Sequence, residues 1–280
     1  MSGRVQGKVA FVTGAARGQG RAHALRLAQE GADIIAVDLC QGIDSVDYRL
    51  GSEADLKETA RQVEALDRRV VTAQADVRDP GAVRTALDVG VGELGRLDIV
   101  VANAGILSAG PTDQLAESAW RDMIDVSLSG AYYTARAAVP HLRAGGAGGA
   151  GGAIILTSSA LGIRAMAYLP HYVAAKAGVI GLMRSMALEL APEKIRVNTI
   201  NPSIVDSPMI HNPATNSMFL PGAENPSRDE ASAVFATLNP MPTPWIDSND
   251  VSNAVLFLAS DEARYVTGLE MKIDAGFCLA

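Results

Sequence analysis

Seven short apolar runs punctuate the 280 residues, at 9–12, 34–37, 70–73, 99–102, 154–156, 197–200 and 271–273. Between them lie longer stretches in which apolar side chains recur every three or four residues, as with Leu56, Ala60, Val63 and Leu66. The early runs are apolar throughout, which suits strands of a parallel sheet covered on both faces, with the intervening stretches supplying the covering helices. Asp79-Pro80 reads as a helix N-cap followed by proline at the first helical position. Strand and helix in strict alternation predict an α/β fold, a Rossmann-type doubly wound parallel sheet of about seven strands. A chain of 280 residues sits near the upper end for one core, so a single domain spanning 1–280 is expected.

Two segments break the alternation. Residues 143–153 contain AGGAGGAGG and read as a flexible connection between a helix and the strand at 154. Residues 202–245 hold eight of the thirteen prolines, which excludes a long helix or a central strand there. An irregular excursion of that length suits a lid, so an inserted substrate lid is expected at about 203–247.

Composition narrows the partners. Acidic residues outnumber basic ones, 31 to 24, with no basic cluster able to follow a phosphate backbone, so no nucleic-acid partner is expected. Cys40 and Cys278 are too few for a disulfide framework, and the four histidines lack metal-ligand spacing. No metal site and a reducing, cytoplasmic setting follow as expectations. The longest uncharged stretch, 144–163, contains seven glycines, and the N-terminal apolar run is too short for a signal-peptide core, so no membrane association is expected either.

The chemistry concentrates at the ends of the expected strands. After the first comes Thr13-Gly14-Ala15-Ala16-Arg17-Gly18-Gln19-Gly20, then a helix expected over 21–29 and ended by Gly31. Glycines allow a tight turn and close approach of a pyrophosphate to the helix N-terminus. Asp38 ends the second strand eighteen residues after Gly20, where a carboxylate accepts hydrogen bonds from adenosine ribose hydroxyls and repels a 2′-phosphate. Arg17 pulls the other way, towards a 2′-phosphate, but the nearer like-charge penalty from Asp38 favours NAD over NADP. Asn103-Ala104-Gly105 ends the fourth strand with small residues where open α/β sheets bind ligands. Tyr172 and Lys176, four apart, share one helix face, and Ser159 stands thirteen residues earlier at the end of the fifth strand.

In order and spacing these residues resemble the short-chain dehydrogenase/reductase family along essentially the whole chain. The matching motifs are T-G-x-x-x-G-x-G at 13–20, Asp76-Val77, N-A-G at 103–105, Ser159, and Y-x-x-x-K at 172–176. The opening AFVTGAARGQG, the long segment after Asp38, HYVAAKAGVIGLMR and the closing SDEARYVTGLEMKIDAG are most similar to the carveol dehydrogenase, mycofactocin-coupled subgroup. That resemblance implies oxidation of a hydrophobic, often terpenoid secondary alcohol, or reduction of its ketone, with NAD that exchanges poorly and passes electrons to a mycofactocin-type acceptor. It also implies a homotetramer. Its cofactor contacts fall on Gly14, Arg17, Gly18, Gln19, Gly20, Asp38, Leu39, Asp76, Val77, Asn103, Ala104, Gly105, Tyr172, Lys176, Pro202, Ile204 and Ser207.

The reaction itself assigns roles. Hydride leaves the alcohol carbon only as the hydroxyl proton is removed, so a base is required beside the cofactor. Tyr172 is the candidate; lowering its pKa from about 10 to about 7 takes roughly 4 kcal/mol of phenolate stabilisation, which Lys176 and an oxidised nicotinamide supply together. Ser159 would hold the substrate oxygen. His171 adjoins Tyr172 in sequence but is expected on another side of the helix. Two positions depart from the family pattern. Ser127 replaces a usual asparagine that shapes a helix bend and lets water link the lysine to solvent, and Ser203 follows Asn201-Pro202 where glycine is more common. The Ser127 departure leaves open a rival reading, a cofactor-holding regulatory or structural protein with weakened turnover, and another reaction on the same scaffold, such as enoyl reduction, is a third, to which the intact Ser159, Tyr172 and Lys176 are less suited. Residues 39–52 form a long βα connection whose Leu39, Ile43, Val46, Tyr48 and Leu50 are available to cover the adenine half of NAD.

If Asp38 reads the ribose, Asp38→Ala weakens NAD binding and narrows the preference over NADP. Titrating both nucleotides against the variant checks this; a sharper preference for NAD contradicts the assignment.

Overall fold

A computed structural model describes residues 3–145, 151–220 and 227–279. Seven strands, β1 (Val9–Thr13), β2 (Asp33–Asp38), β3 (Val70–Gln74), β4 (Ile99–Ala102), β5 (Gly152–Thr157), β6 (Ile195–Pro202) and β7 (Glu270–Ile273), form one parallel sheet in the order β3-β2-β1-β4-β5-β6-β7. The order reverses between β1 and β4, which opens a crevice at their carboxyl ends.

The apolar runs divide their side chains between two cores. Val9, Phe11, Ile35 and Val37 pack on one face beneath α3 (Pro80–Leu94), α5 (Gly130–Ala144) and α6 (Pro170–Leu190). Ala10, Val12, Ile34 and Ala36 pack on the other beneath α1 (Gly18–Gln29), α2 (Glu53–Glu64) and α9 (Ser248–Ala259). Successive strand residues point to opposite faces, so a strand buried on both sides has to be apolar at every position. β3 differs because it is an edge: Thr72 and Gln74 are exposed.

Helix ends follow local chemistry. The Asp79 carboxylate accepts the N–H groups of Gly81 and Ala82 at 2.7 and 3.1 Å, with Pro80 next to it. Ser52 and Asp55 form a reciprocal capping box at α2. α1 begins at Gly18, earlier than the expected 21, so the glycines form its first turn. β6 exceeds its apolar run at both ends and buries two amides: Asn198 accepts from Leu269 N at 2.9 Å and donates to Val266 O at 2.9 Å, and Asn201 Nδ2 donates to Thr199 Oγ1 at 3.0 Å.

The excursion after β6 contains α7 (Pro213–Phe219) and α8 (Arg228–Ala236), packed on a satellite core of Ile204, Ala231 and Phe235. Part of the expected glycine-rich connection, 146–150, and part of the expected lid, 221–226, lie outside the described residues.

Gly20 packs against backbone. A Cβ there would stand 2.0 Å from Gly14 O and 2.7 Å from Asn103 Nδ2. Gly20→Ala is therefore expected to cost several kcal/mol, at the upper end of single-residue effects (about 3 kcal/mol or more), read as a fall in the denaturant midpoint.

Candidate active site

One cleft at the carboxyl ends of the strands, about 1600 Å³ with its mouth, gathers residues from distant parts of the chain. The glycine turn Gly14, Arg17, Gly18, Gln19 and Gly20 forms its floor at the N-terminus of α1. Asp38, Leu39, Asp76 and Val77 line one end, Asn103, Ala104 and Gly105 the middle, and Ser159, Tyr172, Lys176, Pro202, Ile204 and Ser207 the other end. Ser127 does not line it. Ile43, Tyr48 and Leu50 from the 39–52 loop do, while Val46 packs on the core.

Several of these side chains hold the cleft's own backbone. Asp38 Oδ2 accepts Ala16 N–H at 2.9 Å and Oδ1 accepts Cys40 N–H at 3.1 Å. Asn103 Nδ2 donates to Thr13 O at 3.0 Å, and Thr13 Oγ1 accepts the N–H groups of Asn103 and Ala104 at 3.1 and 3.3 Å. The glycine turn is thus pinned from both sides. Asp76 is paired with Arg78 at 2.7 Å, and Arg78 with Asp122 at 2.7 Å. Asp122 also accepts from Ser45 Oγ at 2.6 Å, and Tyr48 Oη accepts Leu107 N–H at 3.0 Å, so the 39–52 loop is fastened to the opposite wall.

The cleft suits a dinucleotide. The first turn of α1 has no side-chain cap, leaving its N–H groups for an anion, and buried Gln19 Oε1 has no partner. Arg17 makes no ion pair among the described residues and lies 6.0 Å from the Tyr48 ring, while Asp38 lines the cleft from the end of β2.

The reacting groups meet at the far end. Ser159 Oγ accepts Leu161 N–H at 3.1 Å and lies 3.5 Å from Pro202 O; turned instead to bond the Tyr172 oxygen, its one proton favours the phenolate. Burial outweighs that bond and raises the Tyr172 pKa. Burial lowers Lys176 to about 8; its Nζ donates to Thr157 O at 2.9 Å and lies 5.8 Å from the Tyr172 ring centroid. His171 is turned away from the cleft, buried, with Nε2 2.8 Å from Ser108 Oγ.

Ser127 lies behind Gly105: a methyl built on that glycine would stand 3.4 Å from Lys176 Nζ and 3.8 Å from Ser127 Oγ. Between α4 (Glu117–Ile124) and α5 the helix widens into a π-turn at Asp125–Ser129, and Ser127 donates to Met123 Sδ at 3.6 Å. The irregular turn exists without an amide side chain. Thr157 and Phe277 carry no motif that marks them in the sequence: Thr157 acts through a backbone oxygen at the end of an apolar strand, and Phe277 reaches the cleft from the turn after β7.

A family model described as enoyl-(acyl carrier protein) reductase matches residues 14–278. The structure of a short chain dehydrogenase from Mycobacterium paratuberculosis bound to NAD superposes with a TM-score of 0.89 at 40% identity, covering 99% of this chain and 100% of that one. This chain belongs to the short-chain dehydrogenase/reductase family. Carveol dehydrogenase from Mycobacterium avium in complex with NAD, another short-chain relative, has a TM-score of 0.96 at 52% identity over 99% of this chain and 100% of that one. The (-)-trans-carveol dehydrogenase of Rhodococcus erythropolis is 50% identical over 278 residues, 99% of each chain.

The short-chain dehydrogenase lysine carries a pH signature. Unfolded, Lys176 keeps its proton to about 10.5; folded and without cofactor, only to about 8. The unfolded state therefore binds more protons between about 8 and 10.5, and stability rises with pH across that window. Thermal unfolding of the cofactor-free protein should show that slope, and Lys176→Met should flatten it. An identical slope in both would place the lysine in a better-solvated site.

Proposed function

We propose that this protein oxidises hydrophobic, terpenoid-like secondary alcohols, or reduces the corresponding ketones, with NAD. The observation that carries the reading is the convergence of Ser159, Tyr172 and Lys176 at one end of a dinucleotide-sized cleft roofed by Met209, Ile210, Met218 and Phe219. Ser159 positions the substrate oxygen, and Tyr172 takes the hydroxyl proton. Lys176 holds positive charge beside the phenol and helps bind the ribose. NAD, when bound, accepts the hydride and brings a positive ring that assists phenolate formation. Burial makes this assistance necessary, because without it the Tyr172 proton is held more tightly than in water.

Asp38 favours NAD, and the backbone of Ile204 with the hydroxyl of Ser207 serves the carboxamide end. Ser127 stands behind Lys176, where the π-turn backbone and the serine hydroxyl offer water a route for the departing proton. A paired tyrosine and serine fit exchange between hydroxyl and carbonyl better than reduction of a carbon–carbon double bond, and the complete set favours turnover over mere cofactor retention.

The lid spans about 203–247. Met209, Ile210, Met218 and Phe219 border the cleft, while Phe235 and Leu238, outside it, pack in the satellite core that Ile210 and Phe219 also touch. The Phe235 ring meets Phe219 nearly edge-on at 4.8 Å, so it supports the roof from below. The strapped 39–52 loop supports slow NAD exchange and hence reoxidation in place by a mycofactocin-type acceptor. Exposed Trp120, Tyr132 and Leu188 on the helical face, and Tyr265, Leu269 and Leu279 near β7, support a homotetramer. A cytoplasmic setting agrees with the two unpaired cysteines.

Reduced-nicotinamide absorbance on mixing with a panel of secondary alcohols tests the reading. Tyr172→Phe should lower turnover by about two to four orders of magnitude while keeping cofactor affinity. Unimpaired turnover would remove the tyrosine from the mechanism.

A further inference from the structure

Behind the roof, four side chains that the reaction does not use form a closed cluster. Asp206 stands at the root of the lid, and its two oxygens are shared: His211 Nε2 lies 2.7 Å from Oδ1, and Arg228 Nη2 donates to Oδ2 at 2.7 Å. Trp245, where the chain leaves the lid, meets the His211 ring at right angles with centroids 4.7 Å apart and carries the Arg228 guanidinium 4.6 Å from its ring centroid. The neck is closed by backbone as well. Val205 and Ile246 form a bridge, Asp206 N–H donates to Ile246 O at 2.9 Å, and Ile246 N–H to Ile204 O at 2.8 Å.

None of the four side chains lines the cleft, yet the turn between Asp206 and His211, Ser207 to Ile210, does so at every residue. Arg228 opens α8, whose Phe235 backs the cleft-lining Phe219. One carboxylate therefore ties together the entry turn and α8, and Trp245 adds the segment that leaves the lid.

We propose that Asp206, His211, Arg228 and Trp245 form a latch that sets the height of the Ser207–Ile210 turn and of α8 above the reacting centre, and so selects substrates by size without touching them. These are positioning residues, and the proposal rests on the dehydrogenase reading above. The side chains of Asp206 and Arg228 keep 35% and 56% of their exposure, so water screens each contact and each is weak alone. Weakness suits the task. A roof that must admit substrate has to open on the timescale of turnover, and several screened contacts made together give one preferred closed geometry that opens readily. Screening also makes the latch sensitive to salt.

Asp206→Asn removes the shared charge and keeps the shape. In the full-length holoenzyme it should raise KM for a bulky terpenoid alcohol by about tenfold, while kcat, and KM for a small secondary alcohol such as propan-2-ol, change by less than about threefold. The wild-type KM for the bulky alcohol should rise with added salt, and that dependence should vanish in the variant. Limited proteolysis should cut the lid of the variant faster. Equal effects on bulky and small alcohols, or none on either, overturn the latch. If the wild type oxidises no secondary alcohol, the dehydrogenase reading fails, and proteolysis, which needs no substrate, still decides the latch: faster lid cleavage supports it and an unchanged rate overturns it. Should Asp206→Asn not fold, His211→Gln leaves the neck intact and carries the same measurements.

Discussion

The close approach of β1 to β4 at the glycine turn is the constraint on which the site depends. Gly14 and Gly20 touch backbone to backbone, and Asn103 bonds Thr13 while its amide lies where a Gly20 side chain would be. Because no side chain intervenes, α1 starts directly over the crevice and aims uncapped N–H groups into it. Asp38 bonds the same turn through Ala16 N–H, so the carboxylate at the end of β2 also holds the backbone of the glycine turn.

Across the cleft the problem is electrostatic. Burial works against both charged forms the reaction needs, pushing Tyr172 up and Lys176 down to about 8. Ser159 offsets part of this for the tyrosine, and the Thr157 carbonyl gives the ammonium a dipole to face. On the proposed reading, a positive nicotinamide ring, when bound, would supply the charge that burial withholds from the Tyr172 phenolate. The excursion after β6 has its own small core and a neck of backbone bonds at its root, the arrangement on which the proposed substrate lid rests.

How much was legible in the sequence follows from the range of the forces involved. Strand alternation, the Asp79-Pro80 cap, the glycine turn, Asp38 and the Y-x-x-x-K pair are local patterns, because backbone geometry and helix periodicity act over a few residues. They determined the parallel sheet, its single-domain arrangement and the placement of the reacting groups at strand ends. Tertiary structure decided what those residues do once packed. Asn103 and Asp76 spend their polar atoms on Thr13 and Arg78, Phe235 supports the roof from beneath, and Phe277 joins the cleft from the far end of the chain. Asp206 and Arg228 are 22 residues apart and meet only because the lid folds back on its root. Such pairings depend on which buried polar atoms and apolar faces remain unsatisfied after the sheet has formed, and no local spacing encodes that.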